Sequence, residues 1–259
     1  MTKNPPHPSG QFCWADLASH GASSARKFYA AVFHWTTEVI DTGSGPRYAH
    51  FLSEGECVTG LGELNQEMRD QGVPPIWNSY VAVEDIEAVL AEVEGLGGTV
   101  TVPAMRARDA GSLAFILDPS GGHVGLWQVG EHLGASRMHE AGSVCWNELA
   151  TRDVDRAAKF YGELFGWTFR EREGAGRYLI IENQGEGIGG ILEMTPDYGE
   201  LPPHWMVYFQ VAAIDASCAA VLAAGGQVHL SPYDSPLGRT AVVSDAQGAA
   251  FSLVVRNQG

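Results

Sequence analysis

The segment Phe12-Cys13-Trp14-Ala15-Asp16-Leu17 largely determines how this 259-residue chain is interpreted, because it occurs twice. It returns as Val144-Cys145-Trp146-Asn147-Glu148-Leu149, which places Trp146 132 positions after Trp14. A Lys-Phe-Tyr segment and a tryptophan follow at the same offset, since Phe28-Tyr29 and Trp35 recur as Phe160-Tyr161 and Trp167. A repeat of this length has the size of a whole domain and exceeds a solenoid unit. The sequence therefore predicts a tandem duplication.

Composition and charge limit the partners that the chain can have. Hydrophobic residues make up 45% and charged residues 18% of the sequence, which is typical of globular proteins. The formal charge of −15 disfavours nucleic acid and anionic membranes, because both are polyanions. The first residues contain no apolar signal segment, and no run approaches the ~18 apolar residues of a membrane span. We therefore expect a cytoplasmic protein, with its four cysteines reduced.

The polar and apolar pattern divides each copy into two half-units, each a strand, a helix and three strands. Ser23-Ser24 is the predicted N-cap of the first helix. We expect each copy to close its own cup of eight strands, and we expect the chain to be a monomer or a weak homodimer. The alternative is an exchange of half-units between the domains, so that each cup would mix strands of the first and the second copy. The predicted organisation is a disordered tail over residues 1–10, a first domain over 11–130, a linker over 131–141 and a second domain over 142–257.

Two motifs carry a resemblance to a known family. A Phe-Tyr helix ends in Phe-x-Trp, and an Asp-Pro-Ser-Gly turn at Asp118–Gly121 precedes the last strand; both features return in the second copy, with the turn as Asp245–Gly248. Nearly the whole chain resembles the vicinal oxygen chelate superfamily of glyoxalases, bleomycin-resistance proteins and extradiol dioxygenases, in particular two-domain glyoxalase-like proteins of actinobacteria. The resemblance implies an α+β fold, in which two βαβββ units per domain form an eight-stranded incomplete barrel, or cup, around a ligand cavity.

The resemblance also implies where a metal would be held. The metal enzymes of the superfamily place ligands at four strand positions. These align with Trp14, Glu63, Asn78 and Gly125 in the first copy and with Trp146, Glu193, Met206 and Ser252 in the second. Each copy supplies about one coordinating carboxylate, whereas a divalent metal site needs two or three converging His or carboxylate ligands. We therefore expect no metal and no cofactor.

Aromatic residues stand at or near these positions and suggest a different kind of site. Aromatic walls suit flat, apolar ligands held by stacking and a few hydrogen bonds. Trp77 and Trp205 are grouped with this lining, whereas Trp35 and Trp167 are assigned to core packing. The predicted ligand-binding residues are Trp14, Asp16, Asn78, Tyr80, Gly125, Trp127, Trp146, Glu148, Glu193, His204, Met206, Tyr208 and Ser252.

Strand alternation places His123 on the same face as Gly125 and Trp127. With Glu63 and Asn78 it would form an acid–base or hydrogen-bonding trio, and Glu63 and His123 are the predicted catalytic pair. The second copy cannot repeat this role, because Ala250 stands in place of His123.

The leading hypothesis is a metal-free bacterial protein that binds an apolar or aromatic metabolite, for sequestration, resistance or as an accessory factor in metabolite processing. The alternatives are a metal-dependent lyase, isomerase or dioxygenase of the same superfamily, and a metal-free acid–base enzyme that uses Glu63 and His123. The residues leave open whether a reaction is catalysed.

Overall fold

The structure, a computed structural model, describes residues 7–43, 47–174 and 176–257. The first copy contains these elements: β1 (Phe12–Ser19), α1 (Ala22–Phe33), β2 (Thr36–Ile40), β3 (Tyr48–Ser53), β4 (Glu56–Glu63), α2 (Gln66–Asp70), β5 (Ile76–Val83), α3 (Ile86–Val93), β6 (Thr99–Ala107), β7 (Gly111–Leu117) and β8 (His123–Val129). The second contains β9 (Val144–Thr151), α4 (Val154–Phe165), β10 (Thr168–Glu171), β11 (Tyr178–Asn183), β12 (Glu186–Glu193), a 3-10 turn (Pro196–Tyr198), β13 (His204–Gln210), α5 (Ile214–Ala223), β14 (Gln227–Ser235), β15 (Gly238–Ser244) and β16 (Ala250–Arg256).

The strands form two eight-stranded mixed sheets, each built from one copy. Their orders are β2-β3-β4-β1-β5-β8-β7-β6 and β10-β11-β12-β9-β13-β16-β15-β14, so the same topology occurs twice. Within each half-unit the first strand pairs parallel with the last, as β1 does with β4 and β5 with β8. The predicted α+β duplication of two βαβββ units is thereby confirmed.

The hydrophobic cores combine the two copies, whereas we favoured a separate core for each copy. Of the described residues, those within 7–14, 79–134 and 146–206 form one compact unit, called unit 1 here, and those within 15–78, 135–145 and 207–257 form the other, unit 2. Each unit thus joins the first half of one copy to the second half of the other. We expected the strands and the core of each domain to come from a single copy. The strands of each sheet do come from a single copy, whereas each core contains residues of both. The domain boundaries at 130 and 142 remain predictions.

A buried hydrogen-bond chain repeats in the two units. In unit 2, Trp77 Nε1 donates to Tyr29 Oη (2.9 Å), and this hydroxyl donates to Asp245 Oδ2 (3.2 Å). In unit 1, Trp205 Nε1 donates to Tyr161 Oη (3.0 Å), which donates to Asp118 (2.8 Å). Burial is the main reason that the pKa of both tyrosines is raised well above the usual value. The Phe-Tyr helix and the Asp turn are therefore structural partners from different copies.

Local details differ from the sequence predictions. Helix α1 begins at Ala22 after Gly21, so Ser23-Ser24 is not its N-cap; Ser24 lies inside the first turn. The short helix α2 was not predicted, although Asn65 caps it by accepting from the Met68 amide. Of the predicted tail, residues 1–6 lie outside the described residues, whereas Gly10 pairs with Ala82 through its backbone N–H.

The side chains of Trp35 and Trp167 are buried, as expected for core residues. All four cysteines are free thiols, in agreement with the sequence analysis. Within the described ranges, no helix is long and apolar enough to span a membrane.

Candidate functional site

A tyrosine–carboxylate pair lies on the first half-unit of the first copy, in unit 2. Tyr48 Oη donates to Asp16 Oδ2 (3.1 Å), and Asn78 Nδ2 donates to Asp16 Oδ1 (2.9 Å), so both carboxylate oxygens accept hydrogen bonds. Gly60 is the residue opposite Asp16 on the neighbouring strand β4. A Cβ at Gly60 would lie 1.9 Å from Tyr48 Oη, so only glycine leaves room for this phenol.

The second copy repeats the pair with a longer acid, in unit 1. The Tyr178 hydroxyl is hydrogen-bonded to Glu148 and accepts from Trp146 Nε1 (3.0 Å). Burial, followed by the negative charge of Glu148, raises the pKa of Tyr178 above its usual value. A Cβ at Gly190, opposite Glu148 on β12, would lie 2.0 Å from Tyr178 Oη. The same three residue types therefore meet twice: an acid, a phenol and the glycine that makes room for it.

An aromatic face covers the second half-unit of the first copy, in unit 1. The ring of Tyr80 packs on Phe115 (centroids 5.3 Å apart), and Phe115 stacks on His123 at 5.0 Å with only 2° between the ring planes. A Cβ at Gly125 would approach Tyr80 Cδ1 to 2.3 Å, so the tyrosine ring covers this glycine. His123 is exposed at the start of β8, and burial of part of its ring lowers its pKa.

Two tryptophans of unit 1 pack against His132, a residue of the predicted linker. The ring centroid of Trp14 lies 4.5 Å from that of His132, and that of Trp127 lies 5.6 Å away. Trp127 Nε1 also donates to the His132 carbonyl (3.1 Å). Both tryptophans are buried, so their indole rings are largely in contact with protein.

The matching face of the second copy, in unit 2, is aliphatic. Tyr208 corresponds to Tyr80 and pairs in register with Ser252, whereas Val242, opposite Ser252 on β15, takes the place of Phe115. The Ser252 hydroxyl is buried and has no hydrogen-bond partner among the residues described. The two copies therefore agree in their first half-units and diverge in their second.

The predicted catalytic residues make separate contacts. Glu63 Oε1 accepts from the Ala22 amide (3.1 Å) and so caps helix α1 in place of a side chain at Gly21. His123 Nε2 is hydrogen-bonded to Thr101 Oγ1 (2.8 Å), and Asn78 donates to Asp16. The proposed trio and its acid–base role stay predictions.

The remaining predicted residues have more limited roles in the structure. His204 Nδ1 contacts the Pro202 carbonyl oxygen (2.9 Å), Met206 is half-buried, and Glu193 is exposed. The grouping of Trp77 and Trp205 with the cup lining is wrong, because both lie in the hydrophobic cores and donate to the helix tyrosines. Strand alternation explains this, since each of them faces the side opposite to its neighbour Asn78 or Met206.

The residues at the four aligned strand positions do not fit a divalent metal. Indole rings, glycine and methionine stand where hard or borderline ions require His or carboxylate donors. Glu63 also uses one oxygen to cap a helix. Across the described part of the chain, no three His, Cys, Asp or Glu side chains are grouped as metal ligands.

Sequence reasoning missed Tyr48, Tyr178, Phe115 and Thr101. A signal for the first two was present, because Arg47-Tyr48 returns as Arg177-Tyr178 and each precedes a glycine-rich strand. Phe115 and Thr101 have no such signal, since neither is repeated.

Comparisons with known proteins agree with this architecture. The glyoxalase/bleomycin resistance protein/dioxygenase superfamily model matches residues 14–125 and 142–253. "Putative glyoxylase CFP32" of Mycobacterium tuberculosis (strain CDC 1551 / Oshkosh) is 40% identical over 258 residues, covering 98% of both chains. "Anthracycline biosynthesis protein DauV" of Streptomyces sp. (strain C5) is 32% identical over 259 residues, covering 95% of this chain and 93% of that protein.

Solved structures share the fold at low sequence identity. The 2,3-dioxygenase LapB from Pseudomonas sp. KL28 gives a TM-score of 0.66 at 14% identity, covering 96% of this chain and 93% of that one. The Mn(II)-bound glyoxalase from Novosphingobium aromaticivorans gives 0.64 at 14% identity, covering 96% and 85%. This chain belongs to the glyoxalase/bleomycin resistance protein/dioxygenase superfamily.

Proposed function

We propose that this chain binds a flat, apolar or aromatic small metabolite against its aromatic sheet face, without the help of a protein-bound metal. The observation that carries the proposal is the contact between Tyr80 and Gly125. Gly125 aligns with the last metal-ligand position of the superfamily, and the ring of Tyr80 covers it. An aromatic ring thus occupies the position where the metal enzymes of the superfamily place a ligand.

The surroundings of this contact suit such a ligand. Stacked or tilted rings prefer centroid distances of 4.5–7 Å, and the Tyr80–Phe115–His123 row lies within that range. Binding sites for small molecules are mostly apolar with a few placed polar groups, and the exposed imidazole of His123 is a polar group on this face. The name of the relative from Streptomyces sp. (strain C5) agrees with this ligand class, since anthracyclines are polycyclic aromatic compounds.

Binding of 2-naphthol and 2-methoxynaphthalene, measured by equilibrium dialysis, tests the proposal. We expect both flat aromatics to bind saturably, and we expect EDTA to leave this binding unchanged. Phe115→Ala should lower the affinity at least fivefold, because it removes roughly 1 kcal/mol or more of ring contact. Val242→Ala, at the matching position of the second copy, is the control and should bind normally.

Elemental analysis of the purified protein distinguishes the metal-dependent alternative. Stoichiometric Zn, Ni, Fe or Mn that is lost in Glu63→Ala would favour a metal-dependent lyase, isomerase or dioxygenase. Absence of saturable binding for both naphthalenes would contradict the proposed function.

A further inference from the structure

The hydrogen bonds of Thr101 indicate which ring nitrogen of His123, the exposed histidine on the aromatic face, carries the proton. Thr101 Oγ1 lies 3.1 Å from the Phe115 carbonyl oxygen and 2.8 Å from His123 Nε2. A carbonyl oxygen only accepts hydrogen bonds, so the single hydroxyl hydrogen of Thr101 is directed to Phe115. Both contacts are hydrogen bonds only when the Thr101 oxygen accepts from His123, and this arrangement assigns the imidazole proton to Nε2.

This assignment leaves the other ring nitrogen as an acceptor. A neutral imidazole carries one N–H and one lone pair, so Nδ1 of His123 is the basic nitrogen. It makes no hydrogen bond within the part of the chain that the structure describes. Burial lowers the pKa of His123, which favours the uncharged ring.

The position of this acceptor is fixed by its neighbours. Phe115 stacks on one side of the His123 ring with almost parallel planes, while the Thr101 bond prevents a ring flip. Tyr80 continues the aromatic row beyond Phe115. A flat ligand packed against this row would bring a hydroxyl or N–H substituent on its edge within reach of Nδ1.

We propose that the aromatic face of the first copy is selective for ligands that carry a hydrogen-bond donor on the ring edge, such as phenols, and that His123 Nδ1 accepts this hydrogen bond. The proposal rests on the proposed function and narrows its ligand class. It also assigns the selective site to one copy, because Val242 and Ala250 replace Phe115 and His123 in the second copy.

Two matched probes test the selectivity. 2-Naphthol and 2-methoxynaphthalene have the same ring system, but only 2-naphthol can donate. We expect wild type to bind 2-naphthol about fivefold more tightly, which corresponds to the typical net contribution of one hydrogen bond, about 1 kcal/mol. His123→Phe keeps a stacking ring without the acceptor, so both probes should bind with equal affinity. His20→Phe, an exposed histidine that contacts the Val73 carbonyl, is the control and should keep the preference.

The tautomer is measured independently of any ligand by long-range 1H–15N NMR of the histidine rings, with the His123 signals identified by their loss in His123→Phe. We expect a protonated Nε2 in wild type and mixed tautomers in Thr101→Val. A protonated Nδ1 in wild type overturns the proposal. Equal affinity of wild type for the two probes also overturns it while leaving the proposed function intact, and failure of both probes to bind contradicts the proposed function itself.

Discussion

Tyr29, in the helix of the first copy, donates a 3.2 Å hydrogen bond to Asp245, in the closing turn of the second copy. Asp245 also accepts from the backbone amides of Gln247 and Ala249, so its turn is held from within and from the helix. Burial is the main cause of the raised pKa of Asp245. The Phe-Tyr helix and the Asp turn, which are the two motifs that carry the family resemblance, are therefore joined by a buried hydrogen bond.

Removal of the hydroxyl group should destabilise the fold. In Tyr29→Phe, Trp77 Nε1 loses its acceptor and Asp245 loses a donor, and unsatisfied buried groups cost about 1–3 kcal/mol. Urea unfolding should show a lower midpoint with an unchanged slope. Tyr198→Phe is the control, because the half-buried Tyr198 hydroxyl makes no hydrogen bond to another described residue, and it should change the midpoint little. An unchanged midpoint in Tyr29→Phe would show that the buried chain contributes nothing to stability.

The two copies should not fold separately. Residues 1–135 contain only parts of both units, so this fragment lacks the partners of Tyr29 and Asp118. We expect fragments 1–135 and 138–259 to lack native near-ultraviolet circular dichroism when alone and to recover it when mixed in equal amounts. Cooperative unfolding of either fragment by itself would contradict this prediction.

Glu63 should act as a helix cap. Substitution of a capping side chain by alanine costs about 0.5–2 kcal/mol, so Glu63→Ala should lower the free energy of unfolding by that amount. Its repeat partner Glu193 is exposed, and helix α4 is capped by Asp153 instead, so Glu193→Ala is the matched control. Chemical denaturation of both variants decides this, and equal effects would exclude the capping role.

Substitution of Gly60 by alanine should destabilise the fold more than the same substitution of Gly62. A Cβ at Gly60 would collide with the Tyr48 hydroxyl, whereas a Cβ at Gly62 meets the same ring at 3.6 Å, an ordinary contact. Overpacking costs about 1–3 kcal/mol, so we expect Gly60→Ala to be destabilised by that amount and Gly62→Ala by much less. Thermal unfolding compares them; similar midpoints would mean that Tyr48 moves aside without cost.

The repeat in the sequence was sufficient to predict the duplication, since Trp14 and Trp146 stand at matching positions of two equal sheets. The sheet architecture itself followed from the resemblance to the superfamily. Only the acid of each tyrosine–carboxylate pair could be identified from the sequence. Asp16 and Glu148 stood out as matched acids, but the contact to Tyr48 depends on the register of three strands, and β3 and β4 change register between Phe51 and Leu52. Alternation along one strand cannot reveal such a cross-strand contact.

The mixed cores were not predictable from the sequence for a different reason. The Tyr and Asp residue types are the same in both copies, so they do not indicate which Tyr meets which Asp. Glu63 was misleading because an acid near the end of a strand suits a metal ligand and a helix cap equally well, and only the position of the Ala22 amide separates the two.

The divergence of the second half-units has a consequence for evolution. In an assembly of two identical chains, each substitution appears in both sites, so Val could not replace Phe115 in one without replacing it in the other. A fused duplicate is free of this constraint. One face of this chain carries the ring row of Tyr80, Phe115 and His123. The corresponding face of the second copy has Val242 beside Tyr208, so one chain presents two different surfaces that selection can act on separately.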